Sequence, residues 1–204
     1  MPANVPDIVI GRLPVYLRAL EHLLKGGHEI TSSQELGEQL GYSAAQIRKD
    51  LSFFGEFGKQ GTGYRISHLA QELRKILHVD REWPVVLVGV GALGHALVRY
   101  GGFKPKGFTI VSAFDSDASK VGQRVGALVV QDMDKLASEI ARIGAQIAII
   151  ATPAATAQEV ANTLAKAGIQ AILNYAPISI TVPKGVRVQY VDPALLMQRL
   201  TYYL

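Results

Sequence analysis

The sequence contains no cysteine. That excludes disulfides, thiolate zinc sites and cysteine nucleophiles together, and it fits a reducing compartment such as the cytoplasm. Long apolar runs are missing too. No stretch approaches the roughly 18 consecutive apolar residues of a membrane span. The segment Met1 to Asp7 lacks the basic start and apolar core of a signal peptide. The histidines do not fall at metal-ligand spacing, apart from a loose His22/His28 pair, so no metal site is expected.

Of 204 residues, 49% are hydrophobic and 19% charged, enough apolar material for one large core or two small ones. The net charge of +4 invites a nucleic-acid reading, but its distribution gives that little support. Residues 1–84 hold ten basic and ten acidic side chains, and residues 85–204 hold eleven and seven. Any argument for DNA must therefore come from local placement. Texture changes near residues 79–84, from helical patterning to short β-rich runs alternating with helices. The alternation predicts a parallel sheet with crossover helices.

In the first half, Leu13, Leu17, Leu20 and Leu24 repeat at helical spacing. Pro14 either kinks that helix or opens its main segment. Two capping boxes follow. Ser32-Ser33-Gln34-Glu35 predicts a helix from about Ser33 to Leu40, and Ser43-Ala44-Ala45-Gln46 one from about Ala44 to Phe54. With Gly41-Tyr42 between them, they form a helix-turn-helix. Ile47, Leu51 and Phe54 give the second helix an apolar side, and Gln46, Arg48, Lys49 and Ser52 are candidates to face base edges or phosphates. The glycine-rich segment Gly55 to Ile66 predicts a hairpin. A hairpin in that position is a wing, where Lys59 and Arg65 could meet phosphates and glycines such as Gly61 would permit close approach to the DNA backbone. A closing helix is expected from His68 to Leu77.

The second half opens with the strand run Val85 to Val88 and then Gly89-Val90-Gly91-Ala92-Leu93-Gly94, followed by a helical stretch. A Gly-x-Gly-x-x-Gly between strand and helix cradles a dinucleotide pyrophosphate on backbone N–H groups. Gly89, Gly91, Ala92, Leu93 and Gly94 are the expected contacts. The next strand, Thr109 to Phe114, ends in Asp115, 21 residues after Gly94. A carboxylate there can accept both hydrogens of the adenosine ribose diol and would repel a 2′-phosphate. No arginine follows closely, so NADH and NAD+ are expected rather than their phosphorylated forms. Asp117 is the competing acid. Later strands are expected at Val125–Val130, Gln146–Ala151, Ala171–Asn174 and Arg187–Val191. Thr152 and Pro153 follow one of them and Asn174 ends another, which makes these three residues candidates for the nicotinamide end.

Convincing acid–base chemistry is absent. His95 falls beside the pyrophosphate, and the Tyr100/Lys104 spacing is interrupted by Gly101-Gly102. A sensor is expected, not a catalyst. Two other readings stand beside it: an NAD-dependent oxidoreductase with an appended helical domain, and a nucleotide-binding protein whose winged helix contacts protein.

Several segments together resemble the bacterial redox-sensing repressor Rex family over essentially the whole chain. They are Arg48 to Gly55, Gly61-Thr62-Gly63-Tyr64, Gly89 to Gly94, Tyr100-Gly101-Gly102-Phe103, Phe114-Asp115, Asn174-Tyr175-Ala176-Pro177 and the tail from Asp192. The resemblance implies a fold: an N-terminal winged helix-turn-helix over 1–80, a Rossmann-like doubly wound sheet over 81–192, and a swapped C-terminal dimerisation helix over 193–204. It implies a homodimer on an AT-rich inverted-repeat operator in double-stranded DNA, released by NADH while NAD+ competes without releasing it. Respiratory and fermentative genes would be derepressed. The same match implies that Tyr100 lies near the nicotinamide and that Arg18 and Asp192 form an intersubunit contact sensitive to the cofactor. Many relatives carry arginine where this wing has Gln60, a departure that bears on Lys59.

Overall fold

The computed structural model describes residues 5–59 and 62–204. The chain divides into two compact units, one ending at Arg81 and the other beginning at Glu82.

The first unit is helical with a small sheet. Helix α1 (Asp7–Lys25) runs through Pro14, which sits on its exposed side. It buries Leu13, Tyr16, Leu17 and Leu20. Strand β1 (Ile30–Thr31) leads to α2 (Ser33–Leu40) and α3 (Ala44–Ser52). Ser32 closes a full capping box: its hydroxyl accepts from Glu35 N–H, and the Glu35 carboxylate accepts from Ser32 N–H at 2.8 Å. Gly41 ends α2 with φ +73°, where a side chain would be strained, and so makes the sharp turn into α3. The two helices touch at Gly37, where a Cβ would collide with the Tyr42 carbonyl.

Two expectations for α3 need correction. The Ser43 hydroxyl accepts from Gln46 N–H at 3.1 Å, but the Gln46 amide donates forward to Asp50 Oδ1 at 2.8 Å instead of reaching back. Only half a capping box forms, because a charge-assisted bond from the Gln46 amide N–H to a buried carboxylate one turn on draws the side chain away from the Ser43 N–H. The helix also stops at Ser52, two residues early. Phe54 still packs on the same core from the following turn.

The wing is a hairpin of β2 (Gly58–Lys59) and β3 (Gly63–Arg65), joined by β1 into a three-stranded antiparallel sheet of order β1-β3-β2. Gln60 and Gly61 lie outside the described residues. Helix α4 (Ile66–Ile76) closes the unit and packs Leu69, Ala70 and Leu73 into its core, much of it against α1.

The second unit is a seven-stranded sheet flanked by helices. Its elements, in chain order, are β4 (Trp83–Val88), α5 (Ala92–Arg99), β5 (Phe108–Asp115), β6 (Arg124–Val125), β7 (Leu128–Asp132), α6 (Leu136–Ile143), β8 (Ile147–Ile150), α7 (Ala154–Lys166), β9 (Ala171–Asn174), β10 (Arg187–Tyr190) and α8 (Pro193–Thr201). Strand order is β10-β9-β8-β4-β5-β7-β6, parallel throughout except for β6. Without β6 this is the doubly wound Rossmann order, whose direction reverses between β4 and β8. The run Val125–Val130 is thus not one strand. It turns at Gly126, φ +59°, and pairs Val125 with Leu128.

Strand β4 shows why a continuous apolar run folds this way. Val85 and Leu87 face one layer with Leu97 and Val130, while Val86 and Val88 face the other with Leu136, Ile140 and Leu164. A strand buried on both faces needs apolar residues at every position. No helix among the described residues is long and apolar enough to cross a membrane.

Candidate nucleotide site and nucleic-acid interface

The three motif glycines meet three different physical demands. Gly89 has φ +98°, and a Cβ there would run into the backbone of Ala151, just past the end of β8. Gly94 packs α5 against the loop so closely that a Cβ would strike the Gly89 carbonyl. Gly91 has nothing within 4 Å of the place its Cβ would occupy. It lines open space at the helix start, where a ligand's phosphates need access to backbone. As N-cap, Gly91 offers α5 no side-chain acceptor, so the first-turn N–H groups remain available to an anion.

Gly89 and Gly91 border a cleft of about 760 Å³ at the carboxyl edge of the sheet, whereas Gly94 lies outside its lining. It brings together Gly89, Gly91, Ala92, Leu93, Asp115, Thr152 and Pro153 from the sequence reading. It adds Lys120, Asp134 and Glu159, which that reading missed. Chemistry at this edge fits a dinucleotide. The hydroxyl oxygen of Thr152 is buried with no hydrogen-bond partner among the described residues, a polar atom left for something else to satisfy.

Asp115 ends β5 almost fully buried. Burial alone would raise its pKa. The N–H groups of Asp117 and Val90 and the Lys120 ammonium outweigh that and hold it below the usual carboxylate range. Its Oδ2 accepts from Val90 N–H at 2.8 Å and from Lys120 Nζ at 3.0 Å, and its Oδ1 accepts from Asp117 N–H at 2.9 Å. Three acceptor positions of about four are taken. In this structure these contacts leave Asp115 about one acceptor position. Asp117, by contrast, is half exposed and turns its carboxylate to Ser119.

Asn174 and Tyr100 lie outside the cleft lining. Asn174 is buried and spends its amide on its own loop, donating to the Ala176 and Ile178 carbonyls and accepting from Ala176 N–H. Its side chain builds the loop after β9. Tyr100 follows the end of α5 in extended backbone, largely exposed, with its ring edge-on to Phe103 at 5.0 Å. Burial, with the neighbouring Tyr100 second, pushes the Tyr175 phenol up. Lys104 belongs to a separate 3₁₀ turn, so Tyr100 and Lys104 share no helix.

In the first unit, α3 presents Arg48, Lys49 and Ser52 outward. Arg48 donates to the Ser33 hydroxyl at 3.0 Å, and the Ser52 hydroxyl donates to the Lys49 carbonyl. The Lys49 ammonium makes no hydrogen bond or ion pair among the described residues. Burial pushes the Tyr64 phenol up, while Arg48 and Ser33 beside it pull the other way. Gln46 is half-buried and engaged by Asp50. Lys59 has its backbone in β2, and Gly61 lies outside the described residues. Arg18 is exposed on α1. Asp192 caps α8, accepting from Ala194 N–H at 2.9 Å. The inner face of α3 held a larger surprise. Asp50 is completely buried, bonded to Arg12, Tyr16 and Gln46.

Two family models match the chain: "CoA binding domain" over residues 80–178 and "Putative DNA-binding protein N-terminus" over residues 4–52. The redox-sensing transcriptional repressor Rex of Chloroflexus aggregans is 53% identical over 199 residues, covering 98% of this chain and 94% of that one. Its counterpart from Pelotomaculum thermopropionicum is 45% identical over 201 residues, again covering 98% and 94%. The crystal structure of RSP in complex with beta-NAD+ and operator DNA superposes with TM-score 0.93 at 38% identity, covering 98% of this chain and 93% of that one. The structure of RSP in complex with beta-NADH gives 0.89 at 36% with the same coverage. The Chloroflexus and Pelotomaculum relatives are named as transcriptional repressors, and RSP as a Rex-family repressor. Sequence shared along nearly the full length of both chains, on a shared fold, shows that this chain belongs to the Rex family of redox-sensing transcriptional repressors.

Proposed function

We propose that this chain is a cytoplasmic homodimer that represses respiratory and fermentative genes from an AT-rich inverted-repeat operator and leaves it when NADH binds. The winged helix, residues 1–80, holds the DNA. Arg48, Lys49, Gln46 and Ser52 of α3 enter the major groove, with Lys59 and Gly61 of the wing on the backbone. Residues 81–192 hold the dinucleotide. Its pyrophosphate sits on the α5 N-terminus at Gly89, Gly91, Ala92, Leu93 and Gly94, its ribose at Asp115, and its nicotinamide end toward Thr152, Pro153, Asn174 and Tyr100.

Residues 193–204 form the dimer by exchange. Helix α8 supports this: Leu195, Leu196, Met197 and Leu200 are each at least 60% exposed in the single chain. Burying such side chains yields roughly 1.5–3 kcal/mol each. Two exchanged helices therefore offset an association cost of about 4–15 kcal/mol.

The coupling follows from the cofactor's charge. Reduced nicotinamide is neutral and puckered, and the oxidised ring is planar and cationic. A pocket beside Tyr100 that packs the neutral ring favours a closed dimer, with Arg18 and Asp192 exchanging partners across subunits. To move the dimer from mostly open to mostly closed, NADH must prefer the closed state by about 10⁴-fold.

The observation that carries this reading is Gly91: open space at an uncapped helix N-terminus, in a cleft that Asp115 also lines. Fluorescence anisotropy of a labelled inverted-repeat duplex tests it. Tight binding with NAD+ and release by NADH is expected. Release by neither dinucleotide would leave a DNA-binding protein without the proposed sensor.

A further inference from the structure

The nucleotide cleft is acidic. Among its described lining residues, Asp115, Asp117, Asp134 and Glu159 are negative, and Lys120 alone is positive. That lysine is committed. Its Nζ lies 3.0 Å from Asp115 Oδ2 and 3.8 Å from Asp117 Oδ2. The turn that delivers it is fixed by Asp117, which accepts from Ser119 N–H and Oγ through its side chain and from Lys120 N–H through its carbonyl.

Asp115 has one acceptor position left, and a ribose diol brings two hydroxyls. The lysine ammonium has three donors, of which Asp115 takes one and Asp117 draws a second. We propose that Lys120 completes the ribose site and, paired with Asp115, determines which dinucleotide the cleft accepts. One hydroxyl donates to Asp115 and the other accepts from Lys120. This rests on the reading of the cleft as the NADH site.

A second consequence concerns a phosphate on that ribose. Asp115 and Asp117 repel it, and they also neutralise the one cation that would attract it. Discrimination against NADPH therefore belongs to the pair. With Asp115 removed, Lys120 keeps only the longer contact to Asp117 and can turn toward a phosphate at the 2′ position. The lysine is about one-third exposed, so it can turn from one partner to another.

The test is direct titration of NADH and NADPH, followed by nicotinamide fluorescence at fixed salt, against wild type, D115A, D115N, K120M and D115A/K120M. Thermal unfolding checks that each variant is folded. D115A is expected to weaken NADH and to tighten NADPH about tenfold, the effect of one charge-assisted hydrogen bond. The NADPH gain disappears in D115A/K120M. K120M weakens NADH severalfold and leaves NADPH weak. A weakened NADH site with no NADPH gain in D115A or D115N overturns the proposal, as does a gain that survives loss of Lys120. If D115A fails to fold, unchanged NADH affinity in K120M overturns it. Unchanged NADH affinity in folded D115A would mean that the ribose assignment itself has failed, and the proposal with it.

Discussion

Arg12 meets Asp50 in two parallel contacts, Nε to Oδ2 at 2.5 Å and Nη2 to Oδ1 at 2.7 Å. This pair joins α1 to the inner face of α3, the proposed recognition helix. Asp50 is completely buried, and Tyr16 Oη at 2.6 Å and the Gln46 amide complete its shell. Burial would raise the Asp50 pKa, but these donors hold it below the usual carboxylate range. Removing one partner of such a pair leaves a buried uncompensated charge. Arg12→Met is expected to destabilise the winged-helix unit by about 3–5 kcal/mol, read from urea unfolding. A loss below ~1 kcal/mol would show that the pair is not what fixes α3 to α1.

The outer face of α3 makes a separate prediction. Arg48→Ala and Lys49→Ala should each weaken operator binding while leaving NADH affinity unchanged. Where the lost contact is to phosphate, the slope of log affinity against log salt falls by about one. Operator affinity unchanged in both variants would remove this helix from the interface.

The glycines of the nucleotide loop divide by function. Gly91 has φ −88° and open space beside it, so Gly91→Ala should fold normally. Its methyl group points into the cleft, and NADH affinity should fall at least about tenfold through a lost phosphate contact. Gly94→Ala drives a Cβ into the Gly89 carbonyl and should cost stability itself, about 1–3 kcal/mol. Calorimetric melting beside NADH titration separates the two. Equal melting losses would contradict the assignment.

Acid should loosen the sheet unit through Glu139. Its carboxylate is held down at about 2, first by Arg142, which donates two hydrogen bonds at 2.7 Å, and then by Ser112 on β5. A carboxylate with a depressed native pKa stabilises the fold above its unfolded value and loses that contribution as pH falls toward the native one. The contribution is full above pH of about 4.5 and lost toward pH of about 2. In Arg142→Ala the loss should be complete at higher pH. Identical acid transitions in wild type and variant would contradict this.

Much of the architecture was legible in sequence because its signals are local. Ser32 and Glu35 specify the start of α2 within one turn, and Gly89 to Gly94 specify the strand, loop and helix start together. What escaped depends on how the chain folds back on itself. Asp50 reads as a solvated charge on a helix, and only Arg12 and Tyr16, 38 and 34 residues earlier, make it a core residue. Lys120 sits in a turn with no periodicity, so its pairing with Asp115 emerges only when β5 and that turn fold back on each other. Val125–Val130 reads as one strand because an apolar run conceals a turn whose signal is Gly126 alone.

The proposed dimer helix carries its own test. Leu196→Asp and Leu200→Asp place charges among the exposed apolar residues of α8. Sedimentation should show monomers in both variants, with operator affinity reduced because two half-sites are no longer bound as one unit. Dimers of undiminished stability would mean that another surface holds the subunits together.

If the dinucleotide cleft and the DNA-reading helix share one equilibrium, their couplings must be reciprocal. Operator affinity is measured with and without saturating NADH, and NADH affinity with and without saturating operator, at one salt concentration. The same factor of weakening is expected in both directions. Strong NADH binding that leaves operator affinity unchanged would contradict a shared equilibrium.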